Sequence, residues 1–208
     1  MVCISFSDGS GGEDVARLVA QELEFRLVNE EIVLRAAEHA GLDADIVADV
    51  ERRKTLLQRI VRQLNSVDAG AAAIGFVPAS GQVLGVGVDA NPDDLRDLVK
   101  AAIEATADDG NVVIAAHAAS VALGRRAVRA FVTASTETRV RRLAESAGLA
   151  QREAERLVAN GDAGRRDYFK RFYAERDELP TFYDLVVNTD RIGGDDAAGL
   201  IVTAARGS

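Results

Sequence analysis

A short apolar run that breaks into glycines and resumes as an amphipathic helix constrains this chain more than any other feature. Val2-Cys3-Ile4-Ser5-Phe6 reads as a buried strand, and Asp8-Gly9-Ser10-Gly11-Gly12 follows as a tight turn. Val15, Leu18, Val19 and Leu23 then recur at helical spacing, which predicts a helix from about Glu13 to Leu23. Glycines at 9, 11 and 12 permit positive φ and let backbone N–H groups come close to an anion. A helix N-terminus directly afterwards adds unpaired N–H donors, so the geometry suits a phosphate. A plain structural turn fits the same four letters, Gly-Ser-Gly-Gly, equally well.

The rest of the chain predicts the layers around this start. A second helix carries Ile32, Val33, Ala36 and Ala37 and stops near Gly41; Asp43 is placed to cap a third, and another runs through Leu56 to Leu64. Residues 69–88 are rich in glycine and alanine and read as a hairpin or a loose loop. Asn91-Pro92-Asp93-Asp94 is a helix start, with a capping Asn and acids facing the positive dipole end. Val112 to Ala115, Val128 to Val132 and Tyr183 to Val187 read as further strands. Helices lie around Thr136 to Ala147 and Ala150 to Phe172. Strands alternating with helices imply an α/β fold with a parallel sheet flanked by helices, all in one domain over 1–208. Ligands of such sheets sit beyond the carboxyl ends of the strands. Those ends carry the glycine loop, His117, the turn after Ala134, and Asn188-Thr189.

Charge and cysteine content narrow the partners. A formal net charge of -8 disfavours a nucleic-acid or anionic-membrane surface, since both are polyanions. A small molecule or a protein fits better, and a homo-oligomer stays open. Cys3 is the single cysteine, so no internal disulfide forms, and its plainest role is a small buried residue of the first strand. Two isolated histidines, His39 and His117, make no metal site. The absence of a long apolar run or a basic leader predicts a cytoplasmic protein.

The glycine loop departs from a full phosphate-loop motif, which needs Lys and then Ser or Thr after its last glycine. Here Gly12 is followed by Glu13 and Asp14. A carboxylate ~4 Å from a phosphate oxygen opposes it by ~1 to 4 kcal/mol, depending on screening. A magnesium ion bridging Asp14 to a phosphate would reverse that sign.

Taken along its length, the chain resembles the cytidylate-kinase-like P-loop proteins of bacteria, of the nucleoside-monophosphate-kinase type. The resemblance rests on Ser5 through Asp14, on Phe25 with Val28-Asn29-Glu30-Glu31-Ile32, on Val113-Ile114-Ala115-Ala116-His117, and on Arg129 through Arg142. It continues in Gly148-Leu149, Glu153-Ala154, Asp162, Arg165, Tyr168, Tyr183-Asp184-Leu185 and Asn188-Thr189. It implies a three-layer P-loop NTPase fold with a helical lid over about 145–180. It also implies phosphoryl transfer from ATP to a monophosphate such as CMP, with Mg²⁺. Under it, Gly9, Ser10, Gly11, Gly12, Glu13 and Asp14 hold the nucleotide and Asp14 its metal ion. Arg165 is the catalytic candidate, with Asp162 orienting it; His117, Arg166, Tyr168 and Asp184 surround the acceptor.

The departures share one direction. Phe6, Glu13, Glu30 and His117 stand where the family places arginine, and phosphoryl transfer depends on neutralising phosphate charge. Three readings follow: an impaired kinase, a non-catalytic relative that binds a nucleotide or a protein, and a kinase for a less anionic acceptor such as a nucleoside or sugar. The third accounts for the lost arginines but not for Glu13. Arg165 and Arg166, with Arg139, Arg141 and Arg142 on the preceding helix, either converge on phosphates or form a solvated face with Glu145, Glu153 and Glu155. Phe169, Phe172 and Tyr173, at helical spacing, read as core.

Overall fold

The computed structural model describes residues 1–29, 103–104, 106–108, 110–116, 120, 123–173 and 178–207, with backbone alone at 167, 168 and 171–173. Five strands form one sheet: β1 (Val2–Phe6), β2 (Arg26–Asn29), β3 (Val112–Ala115), β4 (Val128–Thr133) and β5 (Leu185–Asn188). Their order is β2-β3-β1-β4-β5, and every pair is parallel. β1 lies at the centre, with Val2 opposite both Val113 and Val128. That position explains its near-continuous apolar sequence, because a central parallel strand is covered on both faces.

Alternation along β1 divides the core between the two faces. Val2 and Ile4 pack with Val15 and Val19 of α1 (Gly12–Leu23) and with Ile201 and Val202 of the C-terminal helix. Cys3 faces the other way, among Val28, Ile103, Val112, Ile114 and Leu123. Burial pushes the Cys3 thiol up to about 12, so it stays protonated and acts as a small apolar residue. α2 (Thr136–Ala147) and α3 (Gln151–Tyr173) share a smaller cluster of Val140, Ala154 and Val158. Ser135 caps α2, its hydroxyl accepting from the Thr138 N–H at 3.3 Å.

The expected parallel sheet with flanking helices is present, with three adjustments. β2 is a strand that its sequence did not announce: only Val28 of its four residues is buried. α4 (Gly194–Arg206) was likewise not foreseen; it starts after Gly193 without a side-chain cap and is held by burying Ala197, Ala198, Ile201 and Val202. β5 starts at Leu185 and not at Tyr183, because the Asp184 carboxylate takes three N–H groups of Arg129. The expected helices between residues 32 and 64, the segment 69–88, the start at Asn91, and both His39 and His117 lie outside the described residues.

Candidate functional site

The loop between β1 and α1 turns on two glycines in the left-handed region, Gly9 at φ 78° and Gly11 at φ 79°. Gly11 is the N-cap of α1 and offers no side chain to its open N–H groups. A Cβ at Gly9 would lie 2.6 Å from the Arg139 carbonyl oxygen, and one at Gly12 would run into the Phe6 side chain. Both glycines are therefore required by close approach. The loop is also tied from behind. Ser10 N–H donates to Ser7 O at 3.0 Å, and Thr189 Oγ1 donates to Ser10 O at 2.7 Å. Arg142 adds Nη1 to Ser10 O at 3.1 Å and Nη2 to Thr189 O at 2.7 Å. The Ser10 hydroxyl is buried with no partner among the described residues.

In front of the loop, between it and α2 and α3, is a cavity of about 400 Å³. Phe6, Leu143 and Leu157 supply its apolar wall, and Ser7, Ser146 and Asn160 its neutral polar groups. Its charged lining is Asp8, Glu13, Asp14 and Arg142. Asp14 is paired with Arg17 one turn along α1, and both are exposed. Glu13 is exposed and has no partner among the described residues.

Two of the arginines expected to converge on phosphates, Arg139 and Arg165, are held by carboxylates. Arg139, 5% exposed, makes a two-pronged pair with Asp162 at 2.8 and 2.7 Å, its Nη1 also 3.5 Å from Asp8 O. Asp162 therefore pairs with Arg139 across two helices. Arg165, 7% exposed, meets both oxygens of Glu178 and donates Nη1 to Phe6 O at 2.9 Å. Its guanidinium lies over the rings of Phe131 and Phe169, 5.0 and 5.6 Å from their centroids. Burial opposes the Arg165 charge, but the Glu178 carboxylate outweighs it and holds the pKa above the usual arginine value. Tyr183, whose hydroxyl bonds Glu178 and whose ring stacks on Phe131, is pushed up to about 12, mainly by burial. Phe169 is core, as its spacing predicted.

Of the acceptor-side candidates, Arg166 is exposed on α3 beside a smaller cavity of about 150 Å³ that Arg165 and Glu178 also line. Asp184 is held by Arg129, which lowers its pKa through hydrogen bonding. Arg129 is level with Cys3 near the amino ends of the strands, so Asp184 is not brought to the glycine loop. The side chain of Tyr168 and all of His117 are outside the described residues. Glu178 and Thr189, which hold the site's arginines, escaped the sequence reading as partners. Thr189 carried a signal, since it stands at a strand's carboxyl end; Glu178 carried none.

The described lining does not fit a magnesium-bound triphosphate. Three carboxylates face one guanidinium, and that guanidinium is bonded to the loop's own carbonyl and to Thr189. Among the described residues no group of three His, Cys, Asp or Glu is arranged to hold a metal ion.

A parallel sheet in this order, with a glycine loop between its central strand and first helix, defines the P-loop kinase class of α/β proteins. Within it the chain belongs to the cytidylate kinase-like family, whose profile matches residues 1–191. Its fold is similar to that of an uncharacterized protein from Eubacterium ventriosum, at 18% identity and a TM-score of 0.67, covering 100% of this chain and 98% of the other. Shikimate kinases from Bacteroides thetaiotaomicron (14% identity, TM-score 0.48, coverage 99% and 95%) and Acinetobacter baumannii (11%, 0.47, 100% and 94%) are more distant in shape. No curated protein sequence matches the chain. No described helix is long and apolar enough to cross a membrane.

Proposed function

We propose that this chain is a member of its family that works by binding a ligand in the cavity over its glycine loop, and that phosphoryl transfer from ATP to CMP is impaired in it. One observation carries the reading: Glu13, which has no partner among the described residues, lines the cavity directly after the last glycine, where the motif has lysine. Phosphoryl transfer rests on positioning and charge neutralisation, and a carboxylate there works against both. The engagement of Arg139 and Arg165 by Asp162 and Glu178 supports the same reading, because neither guanidinium has its charge free for a substrate.

In this reading the chain is one domain, and the helices over about 145–180 cover the site as its wall. Its partner is a small ligand or another protein. The test is ADP formation by the purified chain over a panel of nucleotide acceptors with ATP and Mg²⁺. Turnover at background level is expected. Robust turnover, lost in an Arg165→Ala variant that still folds, would overturn the proposal and restore the nominal kinase.

A further inference from the structure

The cavity and the loop disagree about what they hold, and the disagreement points to a ligand class. The backbone keeps a phosphate-loop shape, with Gly9 and Gly11 in the left-handed region and a glycine N-cap. The side chains have the opposite preference. Among the described lining residues, Asp8, Glu13 and Asp14 are set against Arg142, with Arg17 answering Asp14 from outside the lining. The first turn of α1 carries its own acids, Glu13 and Asp14, so the positive end of the helix is already complemented. Phe6, Leu143 and Leu157 line the same cavity with apolar groups, and Asn160 and Ser146 add neutral hydrogen-bonding groups.

We infer that Glu13 is a specificity-determining residue that excludes phosphates, and that the cavity takes an uncharged, ring-bearing molecule of the nucleoside type. The inference rests on the binding reading above and specifies its ligand. A nucleoside ring lies against Phe6, Leu143 and Leu157, and its hydroxyls and amino groups meet Asn160, Ser146 and the carboxylates. Each added phosphate brings negative charge toward Glu13 and Asp14, so affinity falls as phosphates are added.

The experiment is calorimetric titration of the full chain with cytidine, CMP and CTP, with and without Mg²⁺. The wild type should rank cytidine first and CTP last, with at least about tenfold between them. Glu13→Lys should invert the ranking, and Glu13→Gln should compress it. The Gln variant keeps the test valid where the Lys variant loses its fold. CTP binding more tightly than cytidine, a ranking indifferent to Glu13, or no binding by any of the three would each overturn the inference. ADP formation with the cytidine-first ranking intact would overturn the proposed function alone. CTP-first binding without turnover would overturn the inference alone.

Discussion

The backbone of the glycine loop is held from three elements, whereas the two acids that follow it stand in solvent. Arg142 from α2, Thr189 from the end of β5 and Arg165 from α3 all bond backbone carbonyls of residues 6–10. At the mouth Glu13 has no partner among the described residues, and Asp14 has only the exposed Arg17. The contrast separates two things that a motif usually presents together. The shape of such a loop is fixed by packing from behind, and its charge is set by residues that the fold does not need. A chain can therefore keep the first and change the second.

The largest expected effect is at the most buried tie. Arg165→Ala leaves the Glu178 carboxylate, 14% exposed, without its cation beside Phe131 and Phe169. The expected loss is about 3–5 kcal/mol, read from urea denaturation. Replacing both partners together, as Arg165→Met with Glu178→Leu, should recover most of it, since the cost comes from the stranded charge. A loss below ~1 kcal/mol for Arg165→Ala would mean that the tie behind the loop is not structural.

Two glycines with nearly equal φ sharpen the comparison inside the loop itself. Gly9→Ala meets both a strained backbone and the Arg139 carbonyl, whereas at Gly11 a Cβ has nothing within 4 Å. The expected costs are about 2–4 kcal/mol at Gly9 and about 1–2 kcal/mol at Gly11. Equal losses at the two positions would show that backbone strain alone matters and that α2 does not press on the loop.

Tyr183 tests the same tie by pH. Its folded pKa is raised from the ordinary 10.0 to about 12. A raised pKa gives stability that is complete below pH 10 and is lost as pH rises toward 12, because the unfolded chain releases the proton first. Between pH 9 and 11 the wild type should lose about 1 kcal/mol relative to Tyr183→Phe, which has no proton to release. Cys3, also raised, is present in both chains and cancels. A constant difference across that range would contradict the buried setting of the hydroxyl.

The parts legible in the sequence were those written in local signals. Glycines between two apolar patterns located β1, the loop and α1, and the limits of α2 were read correctly. β2 was not read, because Arg26 is exposed and only Val28 is fully buried, so the period-2 pattern that announces a strand is missing. α4 opens with glycine and has no side-chain cap, and what holds it is contact with distant parts of the chain. The pairing of Asp162 shows the same limit within the site. The resemblance placed Asp162 beside Arg165, three residues along the same helix. A two-pronged partner, Arg139, comes from 23 residues away, a pairing made by how α2 packs on α3. The acids at 13 and 14 were legible as exposed residues of the first turn of α1.

The smallest expected effect is the most informative about the mouth. Glu13→Gln removes a charge that no described group answers, so stability should change by no more than about 0.5 kcal/mol. The slight loss at the positive end of α1 partly offsets relief of repulsion from Asp14. Yet the same substitution should change which ligands bind. If the fold can lose this residue without cost, its charge in the lining of a 400 Å³ cavity answers to binding and not to packing. A stability loss above ~1.5 kcal/mol would reverse that assignment: Glu13 would then belong with Arg142 and Thr189 as part of the loop's support. The charge at the mouth would be structural, and the glycine loop would have no side independent of the fold.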